Sequence, residues 1–124
     1  MIKTKYAGNM KIDTEVGGFK VRTDQPDGDN TAPNPFQLFL ASFAACTAVF
    51  ALFYLDKYGI SREGVSVDLD PVFNKEGLVS SAKIIVTVPH NFPAEREGGL
   101  KHTVEYCKVG KHLNFPHEVV LVRK

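Results

Sequence analysis

Short alternations of apolar and polar residues open the chain, from residue 2 to residue 23. Glycine-containing pairs at positions 8–9 and 17–18 interrupt the alternation, and such pairs tolerate the positive φ that tight turns require. The pattern predicts three short antiparallel strands. Residues 23–35 are rich in Asp, Asn, Pro and Gly, so we expect a loop there that leads into a helix.

The helix after this loop has clear boundaries in the sequence. Asn34 is a good N-cap, Pro35 suits the first helical position, and Gln37 stands where a capping box places Glu or Gln. Gly59 can end the helix in the left-handed conformation, with the apolar Ile60 folding back on the last turn. A helix of about 24 residues would be about 36 Å long.

The middle of this helix carries no charge. From Leu38 to Leu55 every residue is uncharged and all faces are apolar, which is typical of a helix that is buried on all sides. A run of about 18 such residues is near the lower limit for crossing a bilayer. We expect instead a central helix enclosed by sheet and by a second subunit, with no membrane association. Three features favour this: the alanines of the run, the polar Ser42 and Thr47, and the strand patterns on either side.

Alternation returns after the helix, in residues 65–70 and 84–88, on either side of a turn signal at residues 74–77. A second helix is predicted from residue 93 to about residue 113, with Leu100, Val104 and Cys107 on one core-facing stripe.

A last strand is predicted over residues 118–122. The order of strands, long helix, hairpin, helix and strand predicts an α+β fold, and the length predicts a single domain over residues 1–124.

Composition and charge argue against nucleic acid as a partner of this chain. The net charge is +1, from 15 basic and 14 acidic residues dispersed along the chain, so no nucleic-acid partner is expected. The first residues are charged every few positions and do not form a secretory signal, so we expect a cytoplasmic protein. Two cysteines are too few for a disulfide-stapled scaffold.

Cys46 lies in the middle of the uncharged helix, beyond the first turn in which a helix dipole favours a thiolate. A reactive Cys46 therefore needs a cation from another segment. Arg22, which precedes the loop into the helix, is the candidate, although its place in an alternating strand could equally direct it to solvent. Cys107 follows 61 positions later and could form a disulfide with Cys46. Spacing alone favours two independent buried cysteines instead.

Histidines give no metal site. His102, Cys107 and His112 are five residues apart and would point about 140° away from one another on a helix. His90 and His117 neighbour prolines, and we expect both to be solvated. We expect neither a metal nor another cofactor.

Two segments resemble motifs of the OsmC/Ohr family. The first resembles the entry to the family's central helix and comprises residues 32–47, Ala-Pro-Asn-Pro-Phe-Gln-Leu-Phe-Leu-Ala-Ser-Phe-Ala-Ala-Cys-Thr. The second resembles the family's second cysteine motif and comprises residues 106–109, Tyr-Cys-Lys-Val. The resemblance implies antiparallel sheets wrapped around a long central helix in an intertwined homodimer. It also implies a thiol peroxidase for organic hydroperoxides: Cys46 becomes a sulfenic acid, Cys107 condenses with it, and an external thiol or dithiol restores the pair. Apolar side chains near Cys46 would hold the alkyl tail of the substrate, namely Phe36, Phe39, Phe43 and Phe50.

The sequence departs from the family at three positions. Phe36 stands where the Ohr branch has glutamate, Gln37 stands where other OsmC-like branches have it, and Lys108 stands where proline is frequent. Gln37 is the remaining candidate for orienting Arg22, besides its capping role. The chain is thus closer to divergent OsmC-like branches than to the Ohr branch, and the alternative function is a non-catalytic protein that binds a small apolar ligand between helices.

Overall fold

Two compact units make up the chain in a computed structural model that describes residues 1–124: Met1–Ala41 and Ser42–Lys124. The boundary falls inside the long helix, here α1, which spans Pro35–Lys57. The expectation of one domain over the whole chain stays a prediction.

The first unit contains the three predicted strands. They are β1 (Lys3–Tyr6), β2 (Ile12–Val16) and β3 (Phe19–Thr23), and they form an antiparallel sheet in the order β1-β2-β3. Gly17 and Gly18 connect β2 to β3 with φ values of 56° and 82°. Glycine adopts this region at no steric cost, which confirms the predicted turn.

The loop after β3 is organised by one buried carboxylate. Asp24 is fully buried, and its Oδ1 accepts a hydrogen bond from the backbone N–H of Gln25 at 2.8 Å. Its Oδ2 accepts two from Thr31, from the backbone N–H at 3.0 Å and from Oγ1 at 2.9 Å. The backbone hydrogen bond from Thr31 is the main reason why the pKa of Asp24 lies below its usual range, in spite of burial.

Helix α1 begins and ends as its sequence predicts. The backbone N–H of Gln37 donates to Oδ1 of Asn34 at 2.7 Å, and the backbone N–H of Asn34 donates to Oε1 of Gln37 at 2.9 Å, which is a reciprocal capping box. At the other end Gly59 has φ 64°, and the N–H of Ile60 donates to the carbonyl of Leu55 at 2.9 Å. This is the 6→1 bond of a Schellman motif.

The second unit contains a sheet in the order β4-β5-β6, formed by Ser66–Phe73, Val79–Val88 and His117–Arg123. Strands β4 and β5 form the predicted antiparallel hairpin, whereas β5 and β6 are parallel. The expectation of antiparallel sheets needs this correction. The helical segment between β5 and β6 supplies the crossover that parallel strands require.

The second helix is shorter than predicted. A 3₁₀ turn (Ala94–Arg96) precedes α2 (Glu97–Glu105), and a second 3₁₀ turn (Gly110–His112) follows after a break. At the end of α2 the N–H of Cys107 donates to the carbonyl of Val104, a residue only three positions earlier, so the last turn tightens and the α-helix stops. Cys107 therefore lies in the connection after α2 and not on the helix.

The core of the second unit is apolar and continuous. It includes one stripe of α1, the inner faces of β5 and β6, and Leu100 and Val104 of α2. Within one chain α1 is buried on this stripe only, since Val49 is 43% and Phe53 60% exposed. The helix is long and apolar enough to cross a membrane, a property that core helices of soluble proteins share.

Candidate functional site

The two cysteines lie together in the second unit. Cys46 on α1 is partly exposed and packs against the core, whereas Cys107 is 1% exposed. Both thiols are free, and the side chains of Cys46 and Cys107 are close enough to interact. The fold thus brings the predicted pair together, which spacing alone did not indicate.

Cys107 is a buried thiol with a backbone donor. Burial raises the pKa of Cys107, and its interaction with Cys46 raises the pKa further. The backbone N–H of Gly110 donates to the Cys107 Sγ at 3.1 Å and opposes this shift. The net effect is a raised pKa, so the Cys107 thiol stays protonated at a higher pH than an ordinary cysteine does.

Gly110 makes room for a close meeting of side chains. A Cβ at this position would lie 3.0 Å from the Sγ of Cys107, 3.2 Å from Nε2 of His117 and 3.3 Å from Cε1 of Phe43. Such distances are shorter than ordinary van der Waals contacts. A larger residue at position 110 would therefore require the thiol, the imidazole or the phenyl ring to shift by a few tenths of an ångström.

His117 is half-buried at the start of β6, contrary to the expectation that it is solvated. Its ring packs edge-on against Phe43, with centroids 5.2 Å apart and planes at 88°. Its Nδ1 lies 3.3 Å from the carbonyl oxygen of Phe115. Residue spacing gave no sign of this placement, because it depends on the parallel pairing of β6 with β5.

Arg22 lies in the first unit, in an ion pair with Asp13. Its Nε donates to Oδ1 at 2.7 Å and its Nη2 to Oδ2 at 2.9 Å, in a bidentate arrangement. Asp13 is 4% exposed, and the hydrogen bond from Arg22 lowers its pKa. The two residues are direct cross-strand partners in β2 and β3. The role of Arg22 as the cation for Cys46 stays a prediction.

The other predicted site residues fall into two groups. In the first unit Gln37 caps α1, and the rings of Phe36 and Phe39 stack with centroids 6.0 Å apart. In the second unit Phe43 is buried next to Gly110, and Phe50 packs edge-on against Phe53, an exposed neighbour, at 5.6 Å. Phe43 thus lies beside the same glycine as Cys107.

These features define an α+β protein with two thiols in contact. The family model for the OsmC-like protein matches residues 28–121. The chain therefore belongs to the OsmC-like family, which confirms the resemblance found in the sequence. No curated protein sequence matches it.

Solved structures show the same fold. A putative osmotic stress induced and detoxification response protein from Psychrobacter arcticus is 19% identical, with a TM-score of 0.79 over 99% of this chain and 94% of that one. An organic hydroperoxide resistance protein OsmC from Legionella pneumophila is 21% identical, with a TM-score of 0.65 over 100% and 95%. An organic hydroperoxide resistance protein from Elizabethkingia anophelis is 15% identical, with a TM-score of 0.68 over 99% and 94%. These identities support a shared fold.

Proposed function

We propose that this protein is a cytosolic cysteine-based peroxidase that reduces organic hydroperoxides. The observation that carries the proposal is the contact between two free thiols in one unit, one partly exposed and one buried. Membership of the OsmC-like family and the fold shared with organic hydroperoxide resistance proteins support it.

The unequal exposure of the two thiols assigns their roles in this proposal. Cys46 is the thiol that a peroxide can reach, so its thiolate attacks the peroxide and an S–O bond forms as the O–O bond breaks. The alkoxide takes a proton from water and leaves as an alcohol. Cys107 then attacks the sulfenic sulfur of Cys46, a disulfide forms, and water leaves. An external thiol or dithiol returns both cysteines to the reduced state.

The activating cation is Arg22 in this proposal, and Asp13 takes the orienting role that the resemblance gives to a glutamate near Phe36 and Gln37. The bidentate pair fixes the plane of the guanidinium group.

We expect Arg22→Gln to slow alkylation of Cys46 at neutral pH, because less of the thiol ionises without a nearby cation. The measurement is the pH dependence of alkylation in a Cys107→Ser background. Lys20→Gln is the control, since Lys20 Nζ lies 3.9 Å from Asp13 Oδ2 but is 58% exposed. Equal profiles for Arg22→Gln and its parent would remove Arg22 from the mechanism.

A second copy of the chain is also part of the proposal. The first sheet has an apolar recess of about 470 Å³, and α1 exposes Val49 and Phe53. The recess is lined by Ile2, Thr4, Ile12, Thr14, Val16, Val21, Thr23, Pro35 and Leu38. A homodimer would cover such surfaces, and light scattering should give twice the mass of one chain.

The test of the peroxidase is thiol counting after a slight excess of cumene hydroperoxide. We expect both thiols to disappear into one internal disulfide. Cys46→Ser should consume no peroxide, whereas the matched variant Cys107→Ser should consume one equivalent and leave a sulfenic acid that dimedone traps. Survival of both free thiols in the unmodified protein would contradict the proposal and favour the non-catalytic, ligand-binding alternative.

A further inference from the structure

We propose that His117 accepts the proton of the Cys107 thiol when Cys107 attacks a sulfur bonded at Cys46. The inference rests on the proposed function for its place in a peroxidase cycle. The proton transfer itself is tested below without peroxide.

The position of Gly110 shows that His117 and Cys107 border the same gap. Nε2 of His117 and Sγ of Cys107 both lie within 3.2 Å of the point that a Cβ of residue 110 would occupy. The chain leaves this point free of side-chain atoms, so nothing from Gly110 separates the imidazole from the thiol.

The second ring nitrogen decides which nitrogen can accept a proton. Nδ1 of His117 lies 3.3 Å from the carbonyl oxygen of Phe115, and a carbonyl oxygen can only accept a hydrogen bond. Nδ1 therefore carries the hydrogen in the neutral ring. Nε2, on the side of Cys107, then carries the free lone pair.

A base is needed because the thiol is buried. Burial and the interaction with Cys46 raise the pKa of Cys107, so at neutral pH it is a thiol, whereas the attacking species in disulfide exchange is the thiolate. Histidine exchanges protons near neutral pH and is the most frequent general base.

His117 also reaches a recess that is open to solvent. This recess of about 290 Å³ is lined by Ser81, Lys83 and Glu118 together with His117. Lys83 and Glu118 face each other across β5 and β6, with Nζ and Oε1 3.9 Å apart, and both are substantially exposed. Both residues line this recess together with His117. In the exchange with an external disulfide, where no hydroxide departs, the recess lets the imidazolium return its proton to water.

In the peroxidase cycle the step is balanced. The Cys107 thiol gives its proton to Nε2, the S–S bond to Cys46 forms, and the S–O bond of the Cys46 sulfenic acid breaks. The departing hydroxide takes the proton from the imidazolium and leaves as water. Cys107 is oxidised and the sulfenic sulfur is reduced.

The test uses stoichiometric dithionitrobenzoate, an aromatic disulfide that releases a coloured thiolate. The first release reports the mixed disulfide at Cys46, and the second reports its displacement by Cys107. His117→Phe keeps an aromatic ring at this position but removes both nitrogens. We expect this variant to leave the first release unchanged and to slow the second release at least about tenfold at neutral pH. His102→Phe is the matched control, since His102 is exposed and also packs edge-on against an aromatic ring, that of Tyr106. It should change neither release.

The pH profile separates proton transfer from packing. With His117 the second release should level off once the imidazole is neutral, whereas in His117→Phe it should keep rising by about tenfold per pH unit until the thiol ionises. If His117→Phe does not fold, His117→Gln should give the same profile. A second release of unchanged rate and unchanged profile in either folded variant would overturn the proposal. A slowed second release in a protein whose Cys46 resists hydroperoxide would overturn the proposed function and leave this inference intact.

Discussion

The two units treat buried acids in opposite ways. In the first unit Asp13 and Asp24 are buried, yet both have pKa values below the usual range, because Arg22 donates to one and the backbone and hydroxyl of Thr31 donate to the other. In the second unit Cys107 is buried among apolar side chains, and its pKa is raised. Burial favours the neutral form in both places, and the number and strength of donors decide which effect prevails. The first unit therefore keeps its two buried carboxyl groups ionised, whereas the second keeps the Cys107 thiol protonated.

The largest effect is expected from removing the apolar packing around Cys107. Phe43 is fully buried and packs against His117 and Phe115. Phe43→Ala should lower the free energy of unfolding by about 3–5 kcal/mol, because the lost contacts add to the cost of a cavity. Denaturant unfolding measures the change, and Leu78→Ala, at a residue 58% exposed, should stay within about 0.5 kcal/mol. A loss at Phe43 no larger than at Leu78 would show that the core does not depend on this ring.

A smaller effect is expected from the buried carboxylate of the first unit. Both oxygens of Asp24 accept hydrogen bonds. Asp24→Asn keeps the shape of the side chain but replaces one acceptor oxygen by an NH₂ group, which cannot accept a hydrogen bond. We expect a loss of about 1–3 kcal/mol at pH 7. Asp27→Asn is the control, since Asp27 is exposed.

The pH dependence of the Asp24 effect follows from the lowered pKa. A carboxylate with a lowered folded-state pKa stabilises the fold fully above the ordinary aspartate pKa of about 3.9, and this contribution is lost as the pH falls through the folded-state value. The stability difference between Asp24→Asn and the unmodified protein should therefore shrink in acid. A difference that is constant from pH 7 down to acid unfolding would mean that the ionised form of Asp24 contributes nothing.

Local sequence signals predicted the elements that depend on local interactions. Asn34 and Gln37 formed the expected capping box, and Gly59 ended α1 as expected, because each bond joins residues a few positions apart. The first unit was predicted well for the same reason, as all its strands are joined by short turns.

Features that depend on distant pairing could not be predicted in this way. The parallel pairing of β6 placed His117 beside Gly110, and the early end of α2 took Cys107 off the helix. Neither leaves a periodic pattern in the sequence. The pairing of Asp13 with Arg22 could have been predicted from the sequence, because two alternating strands joined by a tight turn place these residues opposite each other.

The smallest effect is expected from the thiol itself. A raised folded-state pKa means that the native state holds the Cys107 proton more tightly than the unfolded chain does, so this contribution is complete below the ordinary cysteine pKa of about 8.5 and is lost as the pH rises through the folded-state value. Between pH 8 and pH 9 the reduced protein should lose at most about 0.7 kcal/mol from this source. Unfolding of reduced protein and of Cys107→Ala at both pH values isolates the contribution, because every other titratable group is present in both proteins. An equal loss in the two proteins would mean that burial does not hold the proton on Cys107, and the contrast between the units would then rest on the carboxylates of the first unit alone.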